Sequence, residues 1–330
     1  MSYPPYSGPT PPPQFQYPAP PPAAPPPKKR SGWFWLLIIG GSLTVVVLLF
    51  SGFVWMLVRA SNSDDDESFH ALSGGQIAVV DVSGVILSAE PIDDQLRKFG
   101  DDSQVKAIIL HINSPGGGAA ASQEIYHEVL RIRTEKKKKV IASIESVGAS
   151  GAYYIASGCD KIYANDASVV GSIGVIMEWT NYGDLMRWAK LKSVTITSGA
   201  LKDAGDPTRD MTPAEQVYFQ SLVNNMYGQF INAVASGRKI DPAKIKPLAT
   251  GEVWTGQQAI KLGLIDKEGG FRVALMDTAQ EAGIRGEPSI VRPYKPKRNL
   301  FDLLGSDADS LLPNPTKLLD QSPGFYYMWR

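Results

Sequence analysis

The chain has 330 residues with 33 Lys or Arg against 33 Asp or Glu. That neutral balance, without a basic stripe interleaved with aromatics, gives no support for nucleic-acid binding. Its single cysteine, Cys159, excludes an intrachain disulfide and any CxxC redox or zinc site, and its apolar neighbours read as those of a small core residue. Length alone allows about two domains, but the first fifth is not globular in composition, so one sizeable core is expected.

Thirteen of the 25 prolines fall within residues 1–30. Such a stretch buries too little apolar surface to fold, so 1–32 is expected to be a disordered proline-rich tail, either a solvated spacer or a ligand for a proline-recognition domain. From Trp33 to Val58 there is no charge over 26 residues, with Trp33, Trp35 and Trp55 suited to the interfaces. About 20 apolar residues cross a bilayer, so 33–58 is expected to be a transmembrane helix. The run begins too late and lasts too long for a cleaved signal peptide. Lys28, Lys29 and Arg30 precede it, whereas Arg59 alone follows before the acidic run Asp64 to Glu67. The positive-inside rule then leaves the N-terminus in the cytoplasm and everything beyond the linker, 59–75, outside it, on the periplasmic side of an inner membrane.

Residues 77–82 and 105–112 are short β-branched runs of the kind that form buried parallel strands, with a helix between them over 92–99. A helix follows the second strand, placing Ile125, Val129 and Ile132 on one face. The lysine run Lys136 to Lys139 is expected at its end, where cations suit the helix dipole. Next come a strand over 140–144, a small-residue turn, a helix near 150–157 and a strand over 161–164. Alternation of this kind predicts an α/β domain with largely parallel pairing, spanning 76–285. Residues 194–197 alternate like a strand. Thr212-Pro213-Ala214-Glu215 combines an N-cap, a proline at the first helical position and a capping-box glutamate, predicting a helix to about residue 235. Residues 251–270 read as a strand or turn and then a second Thr-capped helix. The polar stretch 286–330 is expected to be a loosely ordered tail with an aromatic cluster at Phe325, Tyr326, Tyr327 and Trp329, able to dock in an apolar substrate groove or to lie on a membrane.

Three local constellations carry chemistry. Asn113-Ser114-Pro115-Gly116-Gly117-Gly118 lies between a strand and a helix, where glycine amides and a helix N-terminus suit an oxyanion or a phosphate; it lacks the Walker lysine and the dinucleotide spacing. Ser150, in Gly148-Ala149-Ser150-Gly151-Ala152, stands at a strand-to-helix junction with small neighbours, and the N–H of Gly151 is a candidate second oxyanion donor. Residue 152 is Ala, so the nucleophile-elbow pattern fails, and a helix N-cap is the competing reading of Ser150. His70, His111 and His127 lie in the linker, on a buried strand and on an ordinary amphipathic helix, which supplies a Ser-His-Asp triad poorly. A lysine can serve instead when desolvation leaves its amine neutral. Lys202 follows the alternating run, within Ser198-Gly199-Ala200-Leu201-Lys202-Asp203, and a solvated surface lysine is its competing reading.

Together NSPGGG, SVGASGAYYIAS, VGSIGV, SGALKDAGDP and TGQQAIKLGLID resemble the signal peptide peptidase A family in its short single-domain form, over about 76–283. The resemblance implies a crotonase-like (caseinolytic-protease-like) spiral of strands and helices and a Ser/Lys dyad acting on remnant signal peptides and other apolar peptides from the membrane. It assigns Ser150 as nucleophile, Lys202 as general base, Gly117 as an oxyanion donor and Ser172 as the residue orienting the lysine, with no metal, nucleotide or other cofactor. In double-length relatives the lysine and the serine belong to different repeats. A single-repeat chain is therefore expected to pair Ser150 with Lys202 of a neighbouring copy in a closed homo-oligomeric ring, an octamer. Two other classes remain: a crotonase-fold enzyme acting on acyl-coenzyme A, and a non-enzymatic membrane scaffold.

Overall fold

The computed structural model describes residues 48, 49, 52, 75–293 and 324–329. The chain divides into two units, Met1–His70 and Ala71–Arg330. Of the first, only residues 48, 49 and 52 are described, and they are helical. The expected tail over 1–32, the linker up to residue 74 and most of the expected transmembrane helix over 33–58 lie outside the described residues. Among the described residues no helix is long and apolar enough to cross a membrane.

In chain order the second unit runs β1 (Gln76–Ser83), α1 (Glu90–Asp101), β2 (Val105–Ser114), β3 (Gly116–Gly118), α2 (Ala119–Thr134), β4 (Lys139–Ala149), α3 (Gly151–Ser157), β5 (Lys161–Ala164), β6 (Val169–Gly171) and β7 (Ile176–Glu178). It continues with α4 (Gly183–Trp188), α5 (Pro213–Arg238), α6 (Pro242–Ile245), β8 (Val253–Thr255), α7 (Gly256–Lys261), β9 (Lys267–Glu268), α8 (Phe271–Glu281), β10 (Ser289–Val291) and β11 (Gly324–Met328). The main sheet has the order β10-β1-β2-β4-β5-β9 and every pairing along it is parallel. The far end of β4 pairs with β6, and β6 takes β8 antiparallel.

The continuous apolar runs are explained by helices on both faces of this sheet. On one face Val80, Ile108, Leu110 and Ile144 pack with Ile125, Val129 and Ile132 of α2, the three positions expected from helical periodicity. On the other, Ile77, Val79, Ile109 and Ile141 pack against Ala274, Leu275 and Ala279 of α8. Cys159 is a free thiol in the first core, and burial pushes its pKa up. Thr212 and Glu215 form the full capping box that starts α5, and Lys239 ends the helix in a left-handed turn.

Three expectations differ from the fold. Residues 194–197 form no strand, and Val194 and Ile196 are 79% and 95% exposed; an alternating pattern becomes a strand only where another strand accepts it. The lysine run falls after α2, which stops at Thr134: Lys136 pairs with Asp101 at 2.6 Å, and Lys138 donates to the Phe99 carbonyl at 3.0 Å. The stretch after residue 286 contributes two strands, β10 on the edge of the main sheet and β11 in a second sheet of order β3-β11-β7.

Candidate active site

The glycine run that leaves β2 is shaped by its close neighbours. The Ser114 hydroxyl accepts from the Gly116 N–H at 3.1 Å and donates to the Gly84 carbonyl at 2.6 Å, and Gly116 takes a φ of 98° that favours glycine. Ile86 then binds both flanks of Gly117, donating to the Gly116 carbonyl at 2.9 Å and accepting from the Gly118 N–H at 2.7 Å. Strand alternation turns the Gly117 N–H to the opposite side. A side chain is excluded at Gly117, because a β-carbon would come 2.1 Å from the Ile86 carbonyl oxygen.

Ser150 joins β4 to α3 with φ 55° and ψ −119°, a conformation that costs a non-glycine residue of order 1–3 kcal/mol. It is held there by its own N–H, which donates to the Gly171 carbonyl at 2.7 Å, and by its carbonyl, which accepts from the Tyr154 N–H at 2.8 Å in the first turn of α3. The residue stands at the N-cap position, yet its side chain makes no capping hydrogen bond. Its neighbour Gly151 brings the second glycine backbone into place: a β-carbon on Gly151 would lie 3.2 Å from the Gly117 nitrogen.

Ser172 has φ 49°, is 6% exposed, and donates its N–H to the Glu252 carbonyl at 2.7 Å. It lines the same cavity as Ser150, about 570 Å³ in volume, together with Val175, Tyr227, Met328 and Trp329. Ser150, Gly117, Gly151 and Ser172 are therefore brought together within one chain. Lys202 is not. It is exposed, in the turn region between α4 and α5, and does not line that cavity. Neither His111 nor His127 lines it, and His70 lies outside the described residues.

The turns around Lys202 are nonetheless firmly built. Arg209 donates to the Asp203 carboxylate at 3.0 Å and to both oxygens of Glu215, at 2.5 and 2.9 Å. Glu215 is 2% exposed, and the Arg209 hydrogen bonds, helped by the Thr212 backbone, pull its pKa down to about 2. Asp206 accepts from the Thr208 N–H and hydroxyl at 2.8 and 2.7 Å, which lowers its pKa. Sequence reasoning identified Glu215 only as a helix start and missed Arg209, whose role depends on a fold-back that leaves no local pattern.

A strained serine beside two converging glycine amides, on a parallel sheet covered by helices, is an arrangement suited to acyl transfer at a peptide carbonyl. The comparisons place the chain in that class. It is a serine-type peptidase, a hydrolase. Residues 132–285 match the model of peptidase family S49. The chain is 38% identical over 210 residues to a putative protease of Synechocystis sp., covering 63% of this chain and 75% of that one. It is 38% identical over 187 residues to a putative signal peptide peptidase SppA of Enterococcus faecium, covering 57% and 54%. Against protease 4 of Haemophilus influenzae it is 31% identical over 228 residues, covering 65% of this chain and 36% of that one. The chain belongs to peptidase family S49, and it spans about half and about a third of the last two relatives.

Proposed function

We propose that this chain is a membrane-anchored serine endopeptidase that hydrolyses remnant signal peptides and other apolar peptides, through a Ser150/Lys202 dyad, on a crotonase-like spiral of strands and helices. Ser150 carries the proposal: it occupies an N-cap position without capping, in a strained conformation, beside the amides of Gly117 and Gly151. Neutral Lys202 takes the Ser150 proton, and the alkoxide attacks the scissile carbonyl. The amides of Gly117 and Gly151 hold the oxyanion. The Lys202 ammonium then protonates the leaving amine, and water, deprotonated by the same lysine, hydrolyses the acyl-enzyme. Ser172, on the wall of the same cavity, orients the amine.

Lys202 and Ser150 belong to different copies in this proposal. Support comes from the exposed position of Lys202 and from apolar side chains of the same α4–α5 stretch that the other described residues leave uncovered: Trp188 is 81% exposed, Val194 79% and Ile196 95%. Large exposed apolar surface of this kind suits an interface. A closed ring of copies, of which an octamer is one size, gives every serine one neighbouring lysine. The expected anchor at 33–58 would hold the site close to apolar peptides leaving the bilayer and raise their effective concentration.

An acyl-coenzyme A enzyme would use the glycine turn without Ser150, and a scaffold would need neither; relatives named as proteases favour the peptidase. A fluorophosphonate probe on the full chain separates these readings. It should label wild type and spare Ser150→Ala, which should also lose hydrolysis of casein. Equal labelling of both proteins would contradict Ser150 as nucleophile.

A further inference from the structure

α1 and α2 flank a groove of about 430 Å³ that shares no residue with the cavity beside Ser150. Asp93 lines it, 1% exposed, with both carboxylate oxygens buried and without a hydrogen bond. A carboxylate in that state is unfavourable, and a cation that reached it would be held by a charge-assisted hydrogen bond. The neighbouring side chains do not supply the donor. Arg97, 52% exposed, stands 3.6 Å from Asp93 and 3.6 Å from Asp94, too far for a hydrogen bond to either. Arg131 is occupied by Glu128, which it holds through contacts of 2.6 to 3.1 Å. Glu124, exposed on the same groove, has no ion-pair partner among the described residues and adds to the negative potential at Asp93. Among the described residues no three ligating side chains are grouped to hold a metal ion, and the volume suits a long basic side chain instead.

The groove begins beside the candidate site. Gly118 ends β3 and stands at the N-cap of α2, and a β-carbon on Gly151 would meet the hydroxyl of Ser122, one residue before Gln123 at the near end of the groove. Asp93 shares the groove with Glu124 and Glu128, about one to two helical turns farther along, which is on the order of 10 Å. An extended peptide covers that distance in about three to five residues. A signal peptide carries a basic segment directly ahead of its apolar one, so a peptide attacked near the start of the apolar segment presents a lysine or arginine at this spacing.

We infer that the groove between α1 and α2 is an accessory binding site for a basic side chain of the peptide substrate, with the Asp93 carboxylate as its buried partner and Glu124 as the charge that draws it in. The inference rests on the proposed hydrolysis of remnant signal peptides. The incoming ammonium or guanidinium takes the place beside Asp93 that Arg97 approaches without bonding.

The test uses the full chain in a nonionic detergent at pH 7.5, where Asp93 is ionised although burial, then Glu124, raises its pKa to about 6. Two fluorescent peptides share one apolar sequence and differ only in carrying Lys-Lys or Gln-Gln ahead of it. In a Ser150→Ala background the lysine peptide should bind at least about tenfold more tightly than the glutamine peptide by fluorescence anisotropy. Asp93→Asn added to that background should erase the difference and leave the Kd of the glutamine peptide unchanged. In the active protein Asp93→Asn should raise KM for the lysine peptide at least about fivefold at unchanged kcat. Equal binding of the two peptides would overturn the inference. So would a lysine preference that survives Asp93→Asn while the assembly becomes smaller, the mark of a basic residue from a neighbouring copy in the groove. If binding prefers lysine through Asp93 and neither peptide is cut, the groove stands and the proposed chemistry fails; if both are cut with one KM, the chemistry stands and the groove fails.

Discussion

The N–H of Ser150 donates to the carbonyl of Gly171 at 2.7 Å, one residue before Ser172, so the backbone that strains one serine also delivers the other. Both have positive φ, 55° and 49°, whereas most such positions among the described residues are glycine. Strain at Ser150 that serves no structural purpose predicts a trade between activity and stability. Ser150→Gly should be inactive yet more stable than Ser150→Ala by about 1 kcal/mol, because only glycine takes this conformation freely. Urea unfolding of the two variants measures the difference; equal stability would remove strain from the account.

The glycine pair should be intolerant for a different reason. Gly117→Ala places a β-carbon against the Ile86 carbonyl, and relief requires the Gly117 backbone, and with it the N–H offered beside Ser150, to shift. The expected result is a fall in kcat of about 100-fold or more with KM changed little, the pattern of a lost oxyanion donor. Steady-state kinetics on a soluble peptide checks this.

Arg209 should act on activity through the turns around Lys202. Arg209→Ala leaves Glu215 buried and unpaired, a change that costs of order 3 kcal/mol, and frees Asp203. Adding Glu215→Gln should restore most of the stability, since it removes the stranded charge, without restoring activity. Thermal unfolding and peptide hydrolysis on the two variants separate the effects; activity returning together with stability would contradict a positioning role for Arg209.

Asp93 offers a test of pH dependence away from the candidate site. Both its carboxylate oxygens are buried without a hydrogen-bond partner, although Arg97 lies 3.6 Å away. Burial first, then Glu124, raises its pKa from 3.8 to about 6. The folded state then binds this proton more tightly than the unfolded state, so the contribution of Asp93 to stability is greatest below about pH 4 and is lost as pH rises through 6. Asp93→Asn should therefore be more stable than wild type by roughly 1–3 kcal/mol at pH 7 and no more stable at pH 3.5. Urea unfolding at the two pH values checks the sign.

The parallel sheet was readable because strands buried on both faces leave unbroken β-branched runs, as in β1 and β2, and because a capping box announces α5 at Thr212. The family resemblance was legible in five local motifs. What escaped reading depends on partners distant in sequence. The run over 194–197 alternates correctly but finds no strand among the described residues, whereas β11, inside an otherwise polar stretch, becomes a strand because two open edges await it. Neither outcome is written in local periodicity. In the proposed dyad the relation of Lys202 to Ser150 would be of the same kind, since a residue completed by a neighbouring copy looks like any exposed lysine in its own chain.

The most direct test of the proposed dyad mixes two inactive proteins. Ser150→Ala and Lys202→Ala should each abolish hydrolysis while keeping the fold. When they are co-expressed in equal amounts, sites that combine the serine of one copy with the lysine of its neighbour should return up to about a quarter of wild-type activity, the fraction set by random mixing in a ring. Mixed assemblies shown to form but lacking any activity would contradict a dyad built between copies, and substantial turnover by either variant alone would contradict the dyad itself.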